Sequence, residues 1–84
     1  MFRIQWKRKA QKQLLKIDTV QQKKIVDAVD ELTNFPQCHN VKALTNHLYG
    51  YRLRVGRYRV FFDADNEVKI VGFVEVKKRD ERTY

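Results

Sequence analysis

Hydrophobic and polar residues alternate over residues 51–55, and the alternation resumes at Tyr58 after Gly56 and Arg57. A period of two is typical of half-buried strands. A Gly-X pair suits a two-residue hairpin turn, because glycine accepts a positive φ. The pattern therefore predicts a β-hairpin. Its register pairs Val55 with Tyr58, Arg54 with Arg59, Leu53 with Val60, and Arg52 with Phe61.

The predicted register sets two arginines, Arg54 and Arg59, directly opposite each other on one face of the hairpin. Like charges at directly opposed positions destabilise a sheet. Two interpretations follow from the hairpin alone. The arginines either form a solvated strand face, on which the side chains splay apart, or they bind a polyanion that neutralises them.

The N-terminal part of the chain changes from a strand period to a helical period. Residues 2–6 alternate between apolar and polar and predict a first strand. Ala10, Leu14 and Ile17 then recur at helical spacing among lysines and an arginine. The spacing predicts a basic amphipathic helix from Lys7 to near Ile17, whose polar side is a solvated face.

A second helix is predicted immediately after the first. Asp18 and Thr19 are both good N-cap residues, and each has a glutamine three residues later, as in a capping box. The apolar spacing continues over residues 20–35, and Pro36 cannot extend it. Because almost no linker separates the two helices, they are expected to form an antiparallel hairpin.

The C-terminal half supplies the rest of the sheet. Residues 37–49 are polar and irregular and predict a loop, and residues 63–66 predict a turn. A strongly apolar strand is expected over residues 67–76, followed by a charged tail over 77–84. The predicted fold is α+β with the order β-α-α-β-β-β. A helical hairpin packs on a small, mainly antiparallel sheet, in a single domain of residues 1–84.

The charge balance adds a class of partner. Eighteen lysines and arginines against ten acidic residues give a net charge of +8, which is typical of nucleic-acid-binding proteins or of proteins held by an acidic partner. One cysteine, Cys38, suits a reducing compartment. No apolar run approaches the ~18 residues of a membrane span, and no signal peptide is evident. A cytoplasmic location without membrane contact is expected.

Most catalytic chemistry finds no support in the sequence. Cys38, His39 and His47 lack a recognised zinc spacing, and the chain contains no serine. Three scattered glycines cannot form a phosphate loop. Glu75 is the one carboxylate within the last strand's apolar run. No metal or cofactor is therefore predicted. Arginine could still act on RNA, which carries its own nucleophile in the 2′-hydroxyl group, by neutralising charge on a phosphate.

The hairpin from Tyr51 to Val60, the order of the strands, and the Lys78-Arg79 and Tyr84 pattern at the end resemble the RelE/ParE superfamily of bacterial toxins. The likeness extends over essentially the whole chain. It implies the toxin of a type II toxin–antitoxin pair. RelE-type members are ribosome-dependent endoribonucleases that cut mRNA in the A site through the 2′-hydroxyl and so inhibit translation. ParE-type members inhibit DNA gyrase and are not nucleases, and a decayed toxin that still binds its antitoxin is a third alternative.

The RelE likeness implies specific roles. Arg59 and Arg79 would contact the scissile phosphate, with Arg79 assisting the leaving group. Arg52 and Arg54 would stabilise charge, and Tyr84 would stack on a base or orient the nucleophile. Arginine is a poor general base, so the base stays unassigned. Further RNA-binding residues are expected around this set: Arg57, Lys77, Lys78 and Arg82.

The likeness also implies partners. The expected partner is a cognate antitoxin whose toxin-binding segment is acidic and partly disordered when free, wrapping the helices and covering the basic sheet. If the chain is RelE-like, the ribosome and mRNA are further expected partners. If it is ParE-like, the further expected partner is DNA gyrase.

Overall fold

The secondary structure follows the predicted order with one additional strand. The computed structural model describes residues 1–35 and 40–78. Its elements are β1 (Arg3–Trp6), α1 (Arg8–Leu15), α2 (Thr19–Asp30), a short 3-10 helix (Glu31–Asn34), β2 (Val41–Ala43), β3 (Tyr51–Val55), β4 (Tyr58–Asp65) and β5 (Ile70–Lys78). The strands form one sheet in the order β1-β5-β4-β3-β2. Only the β1–β5 pair among these strands is parallel. The predicted α+β fold, two helices on a mainly antiparallel sheet, is confirmed.

The β3–β4 hairpin has the predicted register. Arg54 lies opposite Arg59, and Leu53 lies opposite Val60. Gly56 in the turn has a φ of 56°, the left-handed conformation that glycine adopts without steric cost. The local pattern was sufficient here because the turn sets the register of the residues next to it.

The two helices begin close to the predicted positions. Of the two N-cap candidates, Asp18 caps α2, and its Oδ1 accepts a hydrogen bond of 3.1 Å from the backbone N–H of Gln21. The second helix was predicted to run to Phe35 without a break. It ends at Asp30 instead, and the chain tightens into the 3-10 helix.

One face of the sheet carries the helices and the main core. The core residues come from both α-helices, the 3-10 helix, strands β3 to β5, and two positions that flank these elements, Phe2 and Phe35. They are Phe2, Ala10, Ile25, Val29, Leu32, Phe35, Leu53, Val60, Phe62, Val71, Phe73 and Val76. Phe35 packs edge-on against Phe2, Tyr51 and Phe62 at ring-centroid distances of 5.3, 5.1 and 5.8 Å. Full burial of each large apolar side chain stabilises the fold by about 1.5–3 kcal/mol.

Helix α1 also covers part of the edge of β5. The parallel partner β1 reaches only to the position opposite Phe73. Beyond it, the Lys7 N–H donates to the Phe73 carbonyl at 2.7 Å, and the Val76 N–H donates to Oε1 of Gln13 at 2.7 Å. The Gln13 side chain thus accepts a hydrogen bond that a neighbouring strand would otherwise accept, so the Val76 N–H at the sheet edge is satisfied.

Three predicted boundaries were wrong. The predicted loop over 37–49 contains strand β2, which pairs with β3 although its three residues show no period. The predicted turn over 63–66 lies later, because β4 continues to Asp65, whose Oδ1 caps the turn by accepting the Glu67 and Val68 N–H groups. The predicted charged tail begins too early, since β5 extends to Lys78. No helix in the described part of the chain is long and apolar enough to cross a membrane.

The φ of Gly56 yields a stability prediction. Replacing Gly56 with alanine places a Cβ in the left-handed region and should lower the free energy of unfolding by about 1 kcal/mol, measured by equilibrium urea unfolding. Gly72→Ala is the control, because Gly72 has no positive φ and its added Cβ would meet the flexible end of Lys7 at 3.4 Å and the Asp63 carbonyl oxygen at 4.0 Å, an ordinary van der Waals distance. That variant should stay within about 0.5 kcal/mol of the parent. Equal losses in both variants would contradict the role assigned to the turn.

Candidate functional site

The face of the sheet opposite the helices carries a row of three cations. Arg54 of β3 lies opposite Arg59 of β4, and Arg59 in turn lies opposite Lys77 of β5. Directly opposed residues in antiparallel strands point to the same face. These three residues are called the cation row below. The sequence predicted the two arginines but not the position of Lys77 beside them.

A second row runs parallel to the cation row, two residues along each strand. It consists of Arg52, Phe61 and Glu75, again on β3, β4 and β5. Arg52 is half-buried, and its Nε atom is buried with no hydrogen-bond partner among the described residues. An unmet buried donor costs about 1–3 kcal/mol. Arg52 therefore sits beside the cation row as predicted, but with one donor turned into the protein.

The other predicted RNA-binding and catalytic residues do not all lie on the face that carries the cation row. Arg57 is exposed in the hairpin turn, at the end of the sheet nearest the cation row. Lys78 lies opposite Tyr58 and lines a cavity of about 390 Å³ with residues of α1, so it belongs to the helix-bearing side. Lys77 and Lys78 belong to strand β5 and not to a tail, and because consecutive strand residues point to opposite faces, the two lysines lie on opposite sides of the sheet. Arg79, Arg82 and Tyr84 lie outside the described residues.

A contact that no local sequence pattern indicates connects the second row to the loop before β3. The Tyr49 hydroxyl donates a hydrogen bond of 2.7 Å to Oε2 of Glu75. The other carboxylate oxygen, Oε1, lies 3.6 Å from the ammonium nitrogen of Lys9 and 3.6 Å from that of Lys77. Glu75 is buried, and it thereby joins the loop, α1 and β5.

These contacts shift the pKa values of Tyr49 and Glu75 in opposite directions. The hydrogen bond to Glu75, burial, and the charges of Glu75 and Asp63 raise the pKa of Tyr49 above 10.0. Burial alone would raise the pKa of Glu75, but the Tyr49 hydrogen bond and the charges of Lys77 and Lys9 together lower it below 4.5. At neutral pH the tyrosine is therefore a hydrogen-bond donor and the glutamate an anion.

An aromatic layer covers the same part of the face. The His47 ring stacks on Phe61 with centroids 5.2 Å apart, and Tyr49 packs against Phe61 at 5.5 Å. His47 Nδ1 also accepts the Tyr49 backbone N–H at 3.1 Å, while the Gly50 N–H donates to Asp63 at 2.7 Å. These contacts give His47 a structural role in the packing of this face. They fix the loop that delivers Tyr49 to Glu75.

One signal in the sequence could have indicated this site. Glu75 interrupts an apolar strand, and a carboxylate in such a strand needs a donor or a cation nearby. Its donor is 26 residues away in the chain, so periodicity could not identify it. Within residues 1–35 and 40–78, no cluster of three or more histidine, cysteine or acidic side chains could hold a metal ion. Cys38 and His39 lie outside the described residues.

Comparisons with known proteins identify a family model and several solved structures. The model of the ParE toxin of the type II toxin–antitoxin system parDE matches residues 4–83. No curated protein matches the chain significantly.

Among solved structures, the fold is similar to three RelE toxins at low sequence identity. The Mycobacterium tuberculosis RelBE2 complex contains a chain that is 24% identical, with 93% of this chain and 98% of that chain covered and a TM-score of 0.81. A chain of the Pyrococcus horikoshii RelE–RelB complex is 21% identical, with 95% of this chain and 97% of that chain covered and a TM-score of 0.80. Isolated Escherichia coli RelE is 16% identical, with 96% of this chain and 87% of that chain covered and a TM-score of 0.81. These likenesses establish the fold.

The contacts of Glu75 yield a pH-dependent prediction. Near pH 7, Glu75→Gln should lower the free energy of unfolding by about 1.5–3 kcal/mol, because a buried hydrogen bond to a charged group is lost. The folded pKa of Glu75 is lowered, so its stabilisation is complete above the ordinary value of 4.5 and is lost as the pH falls through the folded value. Urea unfolding near pH 7 and about pH 3 should show the gap between parent and variant closing.

The control for this pH series is Glu67→Gln, which removes the same charge from an exposed turn residue. It should change stability by no more than about 0.5 kcal/mol near pH 7. A Glu75→Gln deficit that is equally large in acid would show that the ionised carboxylate is not the stabilising species.

Proposed function

The chain belongs to the ParE toxin family of type II toxin–antitoxin systems, and from the cationic side chains on its sheet we propose that this toxin inhibits translation by cleaving mRNA in the ribosomal A site. The cation row carries the proposal. Arg54, Arg59 and Lys77 occupy directly opposed positions on three neighbouring strands. A site acting on ribosome-bound mRNA also implies that the protein works in the cytoplasm.

The spacing of the cation row favours a polyanionic substrate. Neighbouring strands lie about 4.8 Å apart, so the row concentrates three cationic side chains within about 10 Å. The close placement of like charges opposes folding, and the ion pair between Lys77 and Glu75 offsets part of that repulsion. A phosphodiester backbone neutralises such a row, and arginine binds phosphate oxygens with two parallel hydrogen bonds.

The proposed reaction needs no nucleophile from the protein. The 2′-oxygen of RNA attacks the adjacent phosphorus, its bond to phosphorus forms as the bond to the 5′-oxygen breaks, and a 2′,3′-cyclic phosphate and a 5′-hydroxyl result. A base takes the 2′-hydroxyl proton, and an acid gives a proton to the leaving 5′-oxygen. Cationic side chains stabilise the negative charge that builds up on the phosphate oxygens.

The side chains would divide this work by position. Arg59, in the middle of the cation row, would hold the scissile phosphate, with Arg54 and Arg52 stabilising the developing charge. Arg79 would assist the leaving group, and Tyr84 would stack on a base or orient the nucleophile. The general base is left unassigned. Both oxygens of the nearby Glu75 already interact with Tyr49 and two lysines.

An antitoxin would control this activity. The toxin chains from Mycobacterium tuberculosis and Pyrococcus horikoshii were solved as complexes with RelB-type partners. By analogy, and because this chain has a net charge of +8, we propose a cognate antitoxin with an acidic segment, partly disordered when free. Opposite charge would speed its association and cover the basic face.

Inhibition of DNA gyrase is the second candidate. The observation that favours it is the family model itself, which describes ParE toxins and matches residues 4–83. In that case the cation row would bind a partner without cutting RNA. The two candidates predict different damaged molecules, either truncated mRNA or trapped DNA–gyrase complexes.

Primer extension on mRNA in a reconstituted translation system tests the proposal. We expect A-site cleavage with a 5′-hydroxyl on the downstream fragment and a 2′,3′-cyclic or 3′-phosphate on the upstream one. Arg59→Ala should lower the single-turnover cleavage rate by about 100-fold, equivalent to ~3 kcal/mol of transition-state stabilisation. Arg79→Ala should have an effect of similar size.

The matched control removes one charge from the other side of the protein. Lys23 is exposed on α2, and Lys23→Ala should cleave at close to the parent rate. A gyrase supercoiling assay run in parallel separates the two candidates. Intact mRNA together with accumulated DNA–gyrase complexes would overturn the nuclease proposal and support gyrase inhibition.

A further inference from the structure

A buried carboxylate lies within the face that is proposed to bind RNA. Glu75 is the one charged side chain classed as buried among the described residues. It occupies β5 two residues before Lys77 and points to the same face as the cation row. A negative charge at that position repels a phosphate backbone. Its presence there is unfavourable for RNA binding unless it organises something else.

The contacts of Glu75 show what it organises. Oε1 lies between two ammonium groups, at 3.6 Å from Lys9 and 3.6 Å from Lys77. The lysine side chains are 59% and 61% exposed, whereas that of Glu75 is 11% exposed. Long exposed lysines lose considerable conformational entropy when they are held in one place. A fixed, buried anion is the feature that keeps both of them at the same spot.

Tyr49 fixes the anion in turn. Its hydroxyl occupies Oε2 at 2.7 Å, which leaves Oε1 directed at the lysines. Its ring packs on Phe61, beneath the stacked His47. The tyrosine is buried, so the bond to Glu75 is shielded from water and correspondingly strong.

Lys9 extends the cation row beyond the sheet. It belongs to α1, the helix that lies along the edge of β5, and it shares Oε1 of Glu75 with Lys77. Arg54, Arg59, Lys77 and Lys9 therefore lie on four elements that are neighbours in space: β3, β4, β5 and α1. The line through these four residues runs across the strands.

We propose that Glu75, held by Tyr49, is a positioning residue that aligns Lys9 and Lys77 with Arg59 and Arg54, and that this four-cation track binds the sugar–phosphate backbone of single-stranded RNA running across the strands. The inference rests on the proposed function, since it takes RNA as the polyanion. It adds Lys9 as an RNA contact. It also gives Glu75 and Tyr49 a role in binding, although neither touches the RNA.

The direction in which one substitution changes RNA affinity distinguishes a positioning role of Glu75 from a simple effect of its charge. Glu75→Gln removes a negative charge from an RNA-binding face, and charge alone would then make RNA bind more tightly. If Glu75 positions two lysines, the same substitution makes binding weaker. Tyr49→Phe provides the second variant, because it loosens Glu75 without changing the net charge, and it should also weaken binding.

The measurement is fluorescence anisotropy with the full chain and a single-stranded RNA of about eight nucleotides, 2′-O-methylated so that it cannot be cleaved. Affinity is recorded over a series of salt concentrations. For single strands, each phosphate contact contributes about −0.7 to the slope of log affinity against log salt. Lys9→Ala and Lys77→Ala should each make the slope shallower by about 0.7 and lower the affinity several-fold near 0.1 M salt.

Two further variants test the mechanism. In the Glu75→Gln background, Lys9→Ala should cause a smaller loss than it does in the parent, because Lys9 is then no longer held in line. Lys23→Ala removes the same charge from α2, on the helix-bearing side, and should leave the slope unchanged. Circular dichroism and thermal melting check that each variant is folded. If Glu75→Gln does not fold, Tyr49→Phe and the lysine variants still decide the result.

The outcomes distinguish the positioning inference from the proposed function. Parent protein that binds with a steep salt slope, together with weaker binding by Glu75→Gln and Tyr49→Phe, supports positioning. Parent protein that binds while Glu75→Gln binds equally well or more tightly overturns positioning and leaves the RNA proposal standing. Parent protein with no salt-dependent binding overturns both. If Lys23→Ala loses as much affinity as Lys9→Ala, RNA binding depends on net charge and not on the four-cation track, and the inference is wrong.

Discussion

The tight turn at Gly56 and Arg57 sets the register between β3 and β4, and a slip of one residue there would turn the apolar side chains of the shifted strand to the opposite face of the sheet. In the observed register, Leu53, Val60 and Val76 meet on the helix-bearing side, while Arg54, Arg59 and Lys77 meet on the other. The core and the cation row are therefore two results of one alignment. Apolar burial on one side compensates for the repulsion of like charges on the other.

The bulge between Phe61 and Phe62 changes the character of the face along the strands. On the hairpin side of the bulge, the face is cationic. Past it, Asp63 lies opposite Gly72, and the Asp63 carboxylate accepts the Gly50 N–H at the base of the loop that carries His47 and Tyr49. The acidic end thus serves to hold that loop, and the cation row lies at the other end of the sheet.

Local features were predictable from the sequence, and distant contacts were not. The hairpin register and the Asp18 cap depend on residues within a few positions of each other, so period and turn chemistry were sufficient. Strand β2 is too short to show a period. The face of β5 could not be assigned from the sequence, because its register depends on a loop of uncertain length and on the bulge.

The same distinction applies to the site. Arg52, Arg54 and Arg59 lie on one hairpin, so their proximity followed from the alternation alone. The contacts of Glu75 with Tyr49 and Lys9 join segments far apart in the chain. Such contacts arise from the packing of the loop and α1 against the sheet, which no local pattern encodes. Arg79, Arg82 and Tyr84 lie outside the described residues, and their roles stay predictions.

The separation of the two faces has a consequence for how such a chain changes over generations. The exposed cation Arg54 contributes nothing to the packed core, so its replacement removes charge repulsion and leaves the buried face intact. Under the proposed function, mutations that inactivate the protein in this way cost less stability than mutations of the core. A lineage can then lose the cation row step by step while the fold, and any contact made through the helices, is retained.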